Sequence, residues 1–157
     1  MLSDNALQRW LQGDGVMEIS TSENEAIVRS ICEAVTADRE SGKPIKPDHQ
    51  VIYDIDYLLM EANSGASFEQ YFRWASVEEI RRVVPALRKV GLPDVAELTE
   101  KAIQVAFPKG IPPMDEEKSG LTEWSEAQDE ELRELFPALE DQNGRIINVL
   151  AAFASQT

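Results

Sequence analysis

Cysteine and histidine are nearly missing from this 157-residue chain, which has one of each, Cys32 and His49. A lone cysteine closes no disulfide within the chain, and Cys32 lies in an apolar helical pattern, so it reads as a small buried hydrophobe. One histidine without a cysteine cluster leaves no zinc-type ligand set and no HExxH pattern, and His49 reads as a helix-terminal surface residue. No glycine-rich phosphate loop is present. Gly13-Asp-Gly15 lacks both the strand-to-helix context and the Lys-Ser/Thr that such a loop needs. Neither a metal nor any other cofactor is expected, and no catalytic constellation is visible. Asp54 and Asp56 stand two apart, on different helix faces, and with Glu61 they read as solvated helix charges.

Bases are also scarce. Fifteen Lys and Arg stand against 29 Asp and Glu, a net charge of −14. Such a chain is repelled by nucleic acid and by anionic lipid, so no direct nucleic-acid contact is expected, and a partner chosen by charge would be basic. Trp10, Trp74 and Trp124 therefore read as core or interface anchors rather than a base-stacking platform. No run approaches the roughly 18 apolar residues of a membrane span, and Met1–Leu7 has neither a basic segment nor an apolar one of the secretory kind. The expectation is a soluble, cytoplasmic protein. Period-two alternation persists nowhere, so strands are not expected, and no repeat of 20–50 residues is evident.

What is present is helical periodicity. The length suits one domain, able to bury roughly 70% of its unfolded surface. A short opening helix is expected over 3–11, with Leu7, Trp10 and Leu11 inward. Ser22…Glu25 has capping-box spacing ahead of Ile27, Val28, Ile31, Cys32 and Val35. Asp48 reads as the N-cap of a helix with Val51, Ile52, Ile55, Leu58 and Leu59 buried. Ser76…Glu79 is a second capping box, before Ile80, Val83, Val84, Leu87 and Val90; Pro85 is expected to kink or split that helix. Pro93 starts a helix carrying Val95, Leu98, Ala102, Ile103 and Phe107. Pro108–Pro113 breaks it, and a loop is expected to about Leu121. Thr122 or Ser125 caps a helix with Leu132, Leu135 and Phe136, which Pro137 interrupts. Gly144 precedes a last apolar helix. The fold class is all-α: a single compact domain, 1–157, of about seven or eight helices, with a core at about 48–112 and acidic helices at about 113–157.

The middle of the chain carries a distinctive stretch. Asn63-Ser-Gly65 is turn chemistry. Ser67 and Gln70 have capping-box spacing. Phe68, Tyr71 and Phe72 fall on one face of a short helix, predicting an aromatic plug in the core. Asn63-Ser-Gly-Ala-Ser-Phe-Glu-Gln-Tyr-Phe72 resembles the "NGGF-x-QYF" motif of a small bacterial helical family named after a DNA-mimic protein. Ala86-Leu87 to Val90-Gly91 and Ala96 to Phe107-Pro108 are similar to its continuation. The likeness covers roughly 48–112. Ser64, Ala66 and Ser67 replace a tighter Gly-Gly pair, and Pro85 and Pro93 are additions. The resemblance implies an acidic, cytoplasmic, non-enzymatic homodimer that occupies the site of a DNA-binding protein.

Charge is unevenly spread. Residues 110–141 hold eleven acids against Lys118 and Arg133, a local excess of nine negative charges, whereas the rest of the chain has eighteen acids and thirteen bases. The segment 73–89 is mildly basic. Glu126, Glu130 and Glu134 stand at i, i+4, i+8, a row rising about 6 Å per step on a helix. If wholly helical, Asp115–Asp141 would span about 40 Å. From the residues alone this is a solvated acidic face. With the resemblance, it becomes a candidate partner-binding face: Asp115, Glu116, Glu117, Glu123, Glu126, Asp129, Glu130 and Glu134. Two partners of the same chemistry fit it, a basic DNA-binding protein kept off DNA, or a basic nuclease toxin capped by an immunity or antitoxin protein.

Overall fold

The computed structural model describes residues 20–156; the expected opening helix, Trp10 and Gly13-Asp-Gly15 lie outside the described residues. Eight helices follow in order, and among the described residues there is no strand: α1 Ser22–Glu40, α2 Pro47–Gly65, α3 Glu69–Trp74, α4 Val77–Lys89, α5 Pro93–Ala106, α6 Asp115–Leu121, α7 Glu126–Glu140 and α8 Asn143–Ala154. Successive neighbours close on themselves. α8 packs on α1, α1 on α2, α2 on α4, α4 on α5 and α5 on α7, and a short turn returns α7 to α8.

The six-residue α3 fills the middle, against α2 and α7. Phe68, Tyr71 and Phe72 are wholly buried, as their spacing predicts. Phe72 meets Phe107 edge-on with ring centres 5.7 Å apart, and Tyr71 meets Tyr57 at 6.0 Å. Aromatic pairs of this geometry add about 0.5–1.5 kcal/mol beyond the area they bury.

The local chemistry of the plug differs from the expectation. α2 runs through Asn63–Gly65, and the left-handed residue is Ala66, with φ +50°. Gly65 is closely approached instead: a Cβ there would stand 3.0 Å from Gln70 Oε1 and 3.2 Å from Gln70 Cβ, so Gln70 would have to give way. Ser67 and Gln70 form no capping box. Ser67 Oγ accepts from the Glu69 N–H, and the Gln70 amide donates to Glu61. Other starts also shift: Thr21, not Ser22, caps α1, and α2 begins at Pro47 behind Lys46 rather than at an Asp48 cap. Ser76 does form its capping box, with Glu79.

Neither internal proline splits its helix. Pro85 lies within α4 and Pro137 within α7. Both are exposed, as are Arg81 and Arg133 four residues earlier, so each gap in the helical ladder lies on the outer side of its helix. α6 replaces an expected loop.

Asp54 also departs from its reading. It is buried, and its carboxylate takes a two-pronged contact from Arg82, Nε to Oδ2 at 2.9 Å and Nη2 to Oδ1 at 3.1 Å, plus the Gln50 amide at 2.8 Å. The bond to Asp54 pushes the Arg82 pKa up.

Candidate partner-binding face

α6 is short and has no side-chain N-cap, so propensity alone does not hold it. Two helix-end contacts do. Lys118 is buried, and its ammonium donates to the carbonyls of Phe72 and Arg73, both at 2.9 Å, at the C-terminal end of α3. Asp115 Oδ1 accepts from the Val77 N–H at 2.7 Å, at the start of α4. Cation at a helix C-terminus and carboxylate at an N-terminus are each the favourable sign for the helix dipole. Burial lowers the pKa of Lys118, while Asp115 works against that shift.

α7 is fixed at its start. Ser125 and Gln128 form a complete capping box. The Gln128 amide also donates to the Val105 carbonyl, and the Trp124 indole to that of Ala106, so the last turn of α5 is closed by side chains from the 122–128 stretch. Leu132, Phe136 and Leu139 point inward. Glu126, Glu130 and Glu134 lie on the exposed side.

The eight sequence-chosen acids are therefore split between two helices and their connection. Glu116 and Glu117 are exposed on α6, Glu123 is exposed in the connection, and Glu126, Glu130 and Glu134 are exposed on α7. Asp129 is half-buried, and Asp115, although exposed, is engaged with the backbone of α4. The continuous 40 Å helical line does not form, because Thr122–Ser125 separates α6 from α7. Trp124 anchors this connection, with Arg73 stacked over its ring at 5.3 Å. Trp74, expected as a core or interface anchor, is 65% exposed and so is not core.

Pairing sets this face apart. Elsewhere, Asp48 pairs with Lys89, Asp54 and Glu78 with Arg82, Glu69 with Arg73, Asp94 with Arg145, and Glu100 with Arg88. Arg81 donates to the Pro112 carbonyl. The basic segment 73–89 is thus consumed internally. Among the described residues, none of the eleven acids in 110–141 takes part in an ion pair. Of the two bases within the stretch, Lys118 is buried against backbone carbonyls; outside it, Lys101 of α5 lines a groove with Glu131 and Glu134 without forming an ion pair. This pairing pattern was not visible in the sequence, since most of the partners lie on different helices.

The sequence model of the family described as DMP19-like protein matches residues 43–156. The chain belongs to the DMP19-like protein family. The match continues through α6, α7 and α8, so the acidic third is part of the family module and not an appendage to a core ending near 112. No curated protein and no solved structure matches the chain. Among the described residues, no group of three or more His, Cys, Asp or Glu is arranged to hold a metal ion, and no helix is long and apolar enough to cross a membrane.

Proposed function

We propose that the α6–α7 face binds a basic DNA-binding protein and keeps DNA from it, so that the chain acts as a cytoplasmic, homodimeric interaction protein and not as an enzyme. One observation carries the reading: among the described residues none of the eleven acids of 110–141 takes part in an ion pair, whereas six acids elsewhere do. Membership of the DMP19-like family supports it. An unpaired carboxylate is hydrated and free to meet a guanidinium or ammonium that would otherwise hold a phosphate. Complementary charge of this kind speeds encounter and excludes wrong partners, and it weakens with salt.

The test is capture of partners from native cytoplasm at low and high salt, followed by competition with duplex DNA. A DNA-binding protein released by salt and displaced by DNA supports the reading. A captured nuclease that is inactivated would replace it with the capping function. Glu126→Gln, Glu130→Gln and Glu134→Gln together are expected to weaken binding more than tenfold. Glu23→Gln, Asp38→Asn and Glu97→Gln remove the same charge elsewhere and should change it less than twofold. Equal losses would reduce the acidity to a bulk field. Sedimentation at tens of micromolar reads the dimer.

A further inference from the structure

A second surface lies on the α1–α2–α8 side. It is a groove of about 660 Å³ whose lining includes Val28, Cys32, Tyr53, Tyr57, Met60 and Ile147. Tyr53 and Tyr57 stack with ring centres 6.2 Å apart, and Met60 is 52% exposed, an unusual degree for a large apolar side chain on a helix whose neighbours are buried. Glu25, Glu33 and Glu40 also line it, all from α1. Their spacings of eight and seven residues place them about two turns apart, over about 22 Å of helix. Asp56 completes the set, and Arg29 is the one cation in the lining, which leaves a net charge of −3.

Asp56 is poorly provided for. Among the described residues its side-chain hydrogen bond is to the weak donor Cys32 Sγ at 3.5 Å, and no ion pair reaches it. Arg29 shares the lining but forms no ion pair with Asp56, which leaves the half-buried carboxylate room for a closer cation.

We infer that this groove docks a basic amphipathic helix of a partner protein, seating an apolar stripe over Tyr57 and Met60 and placing Lys or Arg against Glu25, Glu33, Glu40 and Asp56. An apolar floor with an acidic wall is the complement of such a helix, whose anchors recur at i, i+3, i+4 and i+7. The groove length along α1 matches about fifteen helical residues. Charge speaks against one other occupant, the chain's own residues 1–19, which hold three acids and one basic side chain.

Methionine methyl NMR tests this on the full-length protein, because Met60 lies in the groove and Met114 stands at the start of α6, on the other candidate face. The probe is a synthetic sixteen-residue Leu/Lys amphipathic helix. Its control is the same composition scrambled to destroy the apolar stripe. The expected result is a saturable shift of the Met60 methyl, little movement at Met114, and affinity at least tenfold above the scrambled peptide. Glu25→Gln, Glu33→Gln and Glu40→Gln together should lower affinity about tenfold, while the α7 triple variant stays within twofold. Equal binding of the two peptides, a silent Met60, or a shift confined to Met114 would overturn the groove. The last of these would leave the α6–α7 face standing, so the two proposals fail separately.

Discussion

The helices α2–α5 and the pair α6–α7 handle charge in opposite ways. Within α2–α5, Asp54 is buried beneath Arg82, and Asp48, Glu69, Glu78 and Glu100 each meet a base from the same region. In α6–α7 the acids stay unpaired, and the charged groups that do make specific contacts, Lys118 and Asp115, hold α6 to backbone atoms at the ends of α3 and α4. The difference teaches that net charge alone says little about a surface. The stretch from α2 to α5 has ten acids and six bases and pairs six of those acids, whereas the stretch 110–141 has eleven acids and two bases and pairs none among the described residues. Exposed pairs are worth about 0–1 kcal/mol, so pairing in α2–α5 is weak as glue but effective in removing a field.

The largest expected effect tests whether the inner region is core and the outer one surface. Phe72→Ala removes a wholly buried ring that touches Tyr71 and Phe107, and should cost about 3–5 kcal/mol in urea unfolding. The triple glutamine variant of α7 should keep its unfolding midpoint or raise it slightly, since like charges at i, i+4 repel by a few tenths of a kcal/mol per pair. If both variants lost stability alike, the acidic row would be part of the fold's support.

How much of this contrast was legible in the sequence follows from where each cause lies. The buried stripes, the aromatic plug and the capping box at Ser76 rest on residues within one or two turns, and local spacing exposes them. α6 was hidden because Pro108–Pro113 breaks the helix before it, while its anchors, Phe72 and Arg73, lie some 45 residues away. Pro85 and Pro137 looked like breaks because which side of a helix faces outward is a tertiary matter. Asp54 looked solvated because its partner stands 28 residues later. The acidity of 110–141 was plain by counting. That its acids lack partners was not, because pairing depends on which helices meet.

A mid-sized effect sharpens the inner half of the comparison. The Asp54 side chain is 3% exposed and that of Arg82 is 40%. Arg82→Ala strands a buried carboxylate with only the Gln50 amide, and should cost about 2–4 kcal/mol. Asp54→Ala strands a guanidinium that can turn to water and to Glu78, and should cost about 1 kcal/mol. Urea melts of both variants at neutral pH measure the asymmetry. Equal, small losses would mean that the pair behaves as a surface bridge.

The smallest effect concerns Asp56, one of the acids outside 110–141 that take part in no ion pair among the described residues. Burial raises its pKa above the ordinary carboxylate value, against the lowering influences of the Cys32 contact and of Arg29. Below the unfolded value, near 3.9, the group is protonated in both states and has no effect on folding. As pH rises past that point, the unfolded chain releases the proton first, so stability falls until the folded group has ionised too. Asp94 has the opposite sign. Its bond to Arg145 lowers its pKa, so its contribution is present above the unfolded value and fades as pH falls through the folded one. Asp56→Asn keeps an oxygen able to accept from Cys32 and removes the ionisation. It should raise the melting temperature at pH 7 by at most about 4 °C and leave it unchanged near pH 3. Asp94→Asn should lower it at pH 7, by less than that because the group is exposed. Thermal melts at the two pH values separate the cases, and a shift for Asp56→Asn that is equal at both would assign the effect to packing instead of to ionisation of a half-buried carboxylate.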